Sequence, residues 1–453
     1  LGYDVKVVMP WYSRIDDRTH QITTLGQQVS IPLGGRDWAI TYGRHSDRKT
    51  HVDVFFVGNQ ELFDRDDFYR DPDTGEDWPD NDVRFAVFCR AALQLPGLLE
   101  WSPEIIHCHD WQAAIIPALL RADSSSPTPK TVLTIHNLGY QGSFPPERFS
   151  LLGLNDALMT PVTGAFEFFG KVNFLKGGIA LADRITTVSP RYAEEIQASE
   201  EFGFGLQGLL QQRRDVLIGI LNGVDYTIWS PTRDKYIPFR YHVRNLSGKR
   251  MNKVELTRRA GLPHREKTPL VGMVTRLSDQ KGLDLVNAAA EQLMRMNLQL
   301  VVLGTGDEKY HRMLSELERS YPDRVKVFLT FNDELAHWIE GGADIFLMPS
   351  RYEPCGLNQM YSLKYGTVPV VRKVGGLADT VVDVDDPSGE GNGFVFDDYS
   401  AEAMIAALQR AIDRFARRRE WMRLMKVGMT QDFSWDRSAR EYGALYDSLV
   451  AGE

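Results

Sequence analysis

Short runs of apolar, largely β-branched residues recur along this chain, each separated from the next by a longer stretch with helical spacing, and they fall into two series. Residues 4–10, 104–109, 131–136 and 184–189 make the first, and residues 270–274, 300–304, 325–329, 344–348 and 368–371 make the second. Runs such as Leu270-Val271-Gly272-Met273-Val274 lack the polar alternation of a half-exposed strand, so they read as parallel strands buried on both faces. Strand, helix, strand alternation predicts an α/β protein with two Rossmann-like, doubly wound domains. Two domains also suit a length of 453 residues, more than one hydrophobic core usually serves. Between the series, residues 222–249 are rich in turn formers, including Asn222-Gly223, Ser230-Pro231 and Arg233-Asp234, which puts the boundary near residue 218.

Beyond the second series, Ser434 is placed to cap a terminal helix with Asp436 in its first turn and Trp435, Ala439, Tyr442, Tyr446 and Leu449 on an apolar face that needs a partner. Residues 64–82 form an acidic, Pro-containing insertion that reads as a solvated loop. No apolar run approaches the roughly 20 residues of a membrane-spanning helix. A formal net charge of -9 disfavours a nucleic-acid partner. Cys89, Cys108 and Cys355 are few and far apart, which suits a reducing compartment, cytoplasmic or the plastid stroma of a plant or alga, better than a disulfide framework. The chain opens at Leu1 on what reads as a strand already under way, so a first strand and its Gly-rich loop are expected to be missing.

In open parallel sheets ligands bind beyond the carboxyl ends of the strands, and polar residues gather at those points in both series. Thr275-Arg276 and Lys281 follow the first strand of the second series. Two cations five positions apart, around a turn leading into a helix near Gly282, suit a diphosphate, to which the helix N-terminus adds partial positive charge. Lys373-Val374-Gly375-Gly376-Leu377 joins a strand to a helix, and two glycines there let backbone amides approach phosphate oxygens. Glu353, beside Pro354 after a buried strand, is placed to accept hydrogen bonds from sugar hydroxyls. Each of these residues alone could equally be a helix cap or a surface charge. Their recurrence in one half-chain favours a site.

The segment Glu353-Pro354-Cys355-Gly356-Leu357, followed by Tyr365-Gly366-Thr367-Val368-Pro369 and Gly375-Gly376-Leu377, resembles the bacterial glycogen synthases and plant starch synthases. The resemblance runs along essentially the whole chain, taking in His107-Cys108-His109-Asp110-Trp111, Thr134-Ile135-His136-Asn137, Asn173-Phe174-Leu175-Lys176 and Leu221-Asn222-Gly223-Val224-Asp225. It implies a GT-B fold, with two Rossmann-like domains facing a cleft. Residues 1–217, completed by a terminal helix within 434–453 that crosses back, would bind the acceptor, and residues 218–433 the nucleotide sugar. The implied reaction is glucose transfer from ADP-glucose to the non-reducing end of an α-1,4-glucan, with retention of configuration.

By the same resemblance Arg276 and Lys281 would hold the donor diphosphate, with Thr275 beside them, and Glu353 with the amides of Cys355, Gly356 and Leu357 would hold the glucose. Phe331 would lie against the adenine, Asp110 and Asn222 would line the sugar site, and the His136 carbonyl would face the anomeric carbon. Charge on the departing diphosphate is then met by preorganised cations, usually the main source of rate enhancement in such reactions. A front-face mechanism needs no protein nucleophile, and domain closure would keep water out.

Two departures stand out. Related transferases often carry a second glutamate eight positions after the first, where this chain has Tyr361, and the family's N-terminal Lys-x-Gly-Gly-Leu loop has no counterpart before Asp4. No cofactor and no metal are expected. His107, His109 and Asp110 could offer metal ligands, as could Asp71-Pro72-Asp73 and Asp383-Val384-Asp385, but no further ligand cluster has suitable spacing. A non-catalytic glucan-binding relative, a UDP-glucose-dependent enzyme and a phosphorylase are the alternatives. The last would need a pyridoxal phosphate lysine that the sequence does not identify.

Overall fold

Four strands at the start of the chain build a sheet in which only one pair is parallel. Lys6–Pro10 (β1) runs parallel to Val52–Gly58 (β4), while the long hairpin of Thr23–Leu33 (β2) and Arg36–Asp47 (β3) completes the order β1-β4-β3-β2 with antiparallel pairs. A second sheet contains Ile105–His109 (β5) and Lys130–Ile135 (β6). Between the latter and the next long strand lies a small antiparallel sheet of Ser143–Phe144 (β7), Glu167–Phe168 (β8) and Lys171–Asn173 (β9). Arg184–Thr187 (β10) and Leu217–Gly219 (β11) complete the second sheet in the order β11-β10-β6-β5. The computed structural model describes residues 1–47, 50–123, 128–160 and 164–452.

β1 and β5, both from the first series, belong to different sheets of one unit. Each is the edge strand of its sheet, and a cavity of about 1050 Å³ is lined by both, with Val7 and Met9 from one, Ile106 and His107 from the other, and Phe88 and Val450 from helices. The hairpin β2–β3 was not anticipated, although Gly34 and Gly35, both left-handed, make its turn. The acidic insertion also ends differently from a solvated loop. Asn81 and Asp82 are buried at the start of the helix Asn81–Leu98, where Arg148 pairs with Asp82.

The five runs of the second series, joined by a sixth strand that the sequence reading did not include, form one parallel sheet. Leu270–Val274 (β12), Gln299–Leu303 (β13), Val325–Phe328 (β14), Ile345–Met348 (β15), Val368–Arg372 (β16) and Phe394–Phe396 (β17) lie in the order β14-β13-β12-β15-β16-β17. The cause of the continuous apolar runs is visible in the packing. Val271, Met273, Leu300, Val302, Ile345 and Leu347 enter one core, and the alternate residues Leu270, Val301, Leu303 and Phe346 enter the core on the opposite face. Both faces are covered, so neither needs polar residues.

Two compact units result, one of Leu1–Thr186, Ile196–Ile218 and Gly443–Glu453, the other of Thr187–Glu195 and Gly219–Tyr442. The terminal helix Trp435–Ala451 thus begins in the second unit and ends in the first. Its last turns are anchored there by Tyr3, whose hydroxyl donates to the Gly443 carbonyl and to Asp447 at 3.1 and 2.7 Å. No helix of the described residues is long and apolar enough to cross a membrane.

Candidate active site

Within the second unit the expected phosphate and sugar residues are drawn together by glycines that permit backbone contact. At the end of β12, Thr275 N–H donates to the Leu303 carbonyl at 3.0 Å, and a Cβ on Gly304 would stand 1.9 Å from the Thr275 carbonyl oxygen. Arg276 follows, exposed, with its guanidinium donating to Gln280 at 3.2 Å. The turn then closes at Gly282, left-handed at φ +72°, where a side chain would collide with the Pro349 carbonyl oxygen at 2.0 Å. That close approach sets Lys281 against the segment after β15. Lys281 Nζ lies 2.8 and 2.6 Å from the two carboxylate oxygens of Glu353, and Ser350 Oγ donates to one of them at 2.9 Å. Glu353 is only 5% exposed, so its charge depends on these partners.

The helix expected after Gly282 is short, Leu283–Ala288, and a separate helix begins at Ala290. Its partial charge at an anion is correspondingly small, and Arg276 and Lys281 carry the positive charge here.

Gly375 and Gly376 also have a physical role that the sequence reading did not include. A Cβ on Gly375 would lie 1.9 Å from the Glu353 carbonyl oxygen, and one on Gly376 would lie 1.9 Å from that of Cys355. The glycines therefore admit the 353–355 backbone. Their amides are occupied: Gly376 N–H donates to the Glu353 carbonyl at 3.1 Å, and Gly375 N–H donates to both carboxylate oxygens of Glu195 at 3.1 and 3.0 Å. Leu377 N–H turns back to the Val374 carbonyl. Glu195 is a residue that sequence reasoning missed. Burial raises its pKa, while the Gly375 amide and Arg191 draw it back.

Around the same segment, Cys355 is buried and its thiol is pushed up to about 12, with the Asn222 backbone N–H as a counteracting donor. Gln359 Nε2 donates to the carbonyls of Cys355 and Gly356 and to Thr380, fixing the left-handed Gly356. Leu357 stays partly exposed at the head of the helix Asn358–Tyr365. Tyr361 lies flat against Trp229, ring centroids 4.0 Å apart, and Trp229 in turn stacks on His337 at 3.7 Å. Phe331 stands 86% exposed just before the helix Asp333–Gly342.

In the first unit Asp110 and His136 meet at the ends of β5 and β6. Asp110 adopts φ +54°, a strained conformation that aspartate tolerates better than most, and its Oδ1 accepts the His136 backbone N–H at 2.8 Å. Burial pushes the Asp110 carboxyl above its usual range, while His136 and the backbone donors pull it back. That bond holds the Ile135–His136 peptide, and the Asn137 N–H, which shares a peptide unit with the His136 carbonyl, donates to Asp110 as well. His109 Nδ1 lies 3.0 Å from His136 Nε2, so one ring donates to the other. His107 stacks on His109 and spends its nitrogens on Tyr446 and Thr134 at 2.7 and 2.5 Å. Among the described residues no group of three or more His, Cys, Asp or Glu is arranged to hold a metal ion.

Comparison with known proteins gives the same reading from an independent direction. A family model described as the starch synthase catalytic domain matches residues 1–212, and one described as glycosyl transferases group 1 matches residues 255–423. The glycogen synthase of Geotalea daltonii is 45% identical over 99% of this chain and 92% of its own length. That of an Anaeromyxobacter species is 46% identical over 99% of this chain and 93% of its own length. Among solved structures, the catalytic domain of starch synthase IV from Arabidopsis thaliana, bound to ADP and acarbose, is similar at a TM-score of 0.90, with 33% identity, over 99% of this chain and 93% of that one.

Proposed function

Because the chain belongs to the glycogen synthase and starch synthase family, and so is a GT-B glucosyltransferase of glycogen or starch synthesis, we propose that it takes glucose from ADP-glucose and adds it, with retention, to the non-reducing end of an α-1,4-glucan. The observation that carries this reading is the ion pair of Lys281 with Glu353, the residues that the resemblance assigns to the donor diphosphate and to the glucose. The ADP and acarbose held by the Arabidopsis relative support it.

In this reading Arg276 and Lys281 bind the diphosphate and meet the charge that grows on it as the bond to glucose breaks. Glu353 accepts hydroxyl hydrogen bonds from the glucose, held in place by Ser350 and by the backbone seat that Gly375 and Gly376 provide. Asp110, through the His136 and Asn137 amides, orients the His136 carbonyl toward the electron-poor anomeric carbon. The acceptor hydroxyl oxygen bonds to that carbon on the face the diphosphate leaves, and its proton passes to the departing phosphate oxygen. Neither a protein nucleophile nor a metal enters. Phe331 stacks on the base. The three free cysteines are buried and suit a reducing cytoplasm or stroma.

Measuring transfer from ADP-glucose and from UDP-glucose to maltoheptaose tests the assignment. Faster turnover from ADP-glucose is expected; preference for UDP-glucose would overturn the donor, and absence of transfer from both would overturn the reaction.

A further inference from the structure

Two aromatic rings stand out for exposure, Phe331 at 86% and Phe169 at 83%. The first has a role in the reading above; the second, in the other unit, has none. Phe169 is the first residue of a two-residue hairpin turn. Phe168 faces Lys171 across the β8–β9 pair, and Phe169 and Gly170 between them both have left-handed backbones, φ +49° and +77°. Two consecutive positive φ values are the mark of a type I′ turn, whose first position favours Asn, Asp or Gly. A phenylalanine there is strained, and with its ring bare to solvent it gains almost no burial in return. The fold would be better served by asparagine.

The ring nonetheless has a neighbour on one side. Phe168 contacts it edge-on, with centroids 4.7 Å apart, and Gly205 lies beneath both, where a Cβ would be 2.8 Å from the Phe168 ring and 3.2 Å from that of Phe169. Phe204, before that glycine, is itself left-handed at φ +48°. The hairpin is braced by Lys176, whose ammonium donates to the Gly164 and Glu167 carbonyls, and by Glu167, which accepts the Gly170 amide at 2.8 Å. Gln141 ties this assembly to the loop that carries His136. Its Nε2 donates to the Phe204 carbonyl at 3.2 Å, and its Oε1 accepts from Asn173 Nδ2 at 2.7 Å. A rigid, exposed, strained aromatic is thus anchored to the acceptor-side loop.

We propose that Phe169 is a stacking platform for the α-glucan acceptor, its ring covering the C–H face of a glucose unit along the chain from the reacting end. The inference rests on the reading of the first unit as the acceptor side. Pyranose rings present apolar C–H faces between their hydroxyls, and a fixed aromatic plane matches such a face at little conformational cost. Phe168, Gly205 and Gln141 act as positioning residues.

The test is maltoheptaose binding by titration calorimetry, with thermal unfolding of the same samples, for the protein and for Phe169→Asn, Phe169→Ala and Phe169→Tyr. Phe169→Asn is expected to keep or raise Tm, because asparagine suits the turn, and yet to weaken binding about tenfold, or about 1.4 kcal/mol. Phe169→Tyr should bind within about twofold of the parent. Unchanged maltoheptaose affinity in Phe169→Asn and Phe169→Ala would overturn the proposal. So would a large fall in Tm for Phe169→Asn, since the ring would then be serving the fold. A parent protein that binds maltoheptaose through Phe169 but transfers glucose from neither donor would refute the reaction and leave the platform standing.

Discussion

Lys281, half-buried, and Glu353, buried, form a two-pronged ion pair, the ammonium 2.8 and 2.6 Å from the carboxylate oxygens. In the proposed reaction the same two groups serve opposite ends of the donor. Lys281→Ala therefore removes a phosphate partner and also strands a carboxylate in a site that is 5% exposed. Turnover is expected to fall about a hundredfold or more in Lys281→Ala and in Arg276→Ala. Only the former should also lose substantial stability, on the order of 3 kcal/mol. Adding Glu353→Gln to Lys281→Ala should restore much of that stability without restoring rate. Thermal unfolding and steady-state kinetics on the set distinguish the roles, and near-normal rates in both single variants would remove them.

Glu353→Gln by itself keeps the side-chain shape while discarding the anionic acceptor. Transfer should drop while ADP affinity, measured by calorimetry, stays near the parent value. Loss of ADP affinity would move Glu353 from the sugar to the nucleotide.

Gly375→Ala forces a methyl group to within 1.9 Å of the Glu353 carbonyl oxygen, at a residue already left-handed at φ +42°. Both effects push the same backbone outward, so the variant should be less stable by several kcal/mol and nearly inactive. Thermal unfolding with an activity assay checks this. Full activity at normal Tm would mean that the glycine does not seat the glutamate.

Much of this site was legible in the sequence because its signals are local. The second-series strands could be read since Leu270 and Val271, facing opposite cores, are both apolar, and Arg276, Lys281 and Glu353 all follow such strands. The β2–β3 hairpin escaped because the sequence reading followed continuous apolar runs, whereas these strands alternate as one-sided strands do around the Gly34-Gly35 turn. Glu195 escaped for another reason. It is 180 residues from Gly375, and nothing in the spelling of either segment foretells their contact. That the glycine pair seats the 353–355 backbone escaped since a turn glycine is required equally by an approaching ligand and by an approaching backbone.

Titration of His107 supplies the last expectation. The ring is pushed down to about 3 from the usual 6.5, first by burial and then by its neighbours His109 and His136, while Tyr446 and Thr134 occupy its nitrogens. It is therefore neutral in the folded protein at every pH above about 3, whereas the unfolded chain takes up a proton below about pH 6.5. The unfolded state then binds more protons, and stability must fall as pH drops through that window. Above about pH 6.5 neither state is protonated and the contribution is fully present. Between about pH 7 and about pH 5 the loss from this one ring amounts to at most about 2 kcal/mol. His107→Gln should flatten the difference in unfolding free energy between those two pH values by up to that amount, measured by urea denaturation at each. An identical pH dependence in both proteins would mean that His107 titrates normally and that its packing against β6 and the terminal helix is looser than the bond lengths imply.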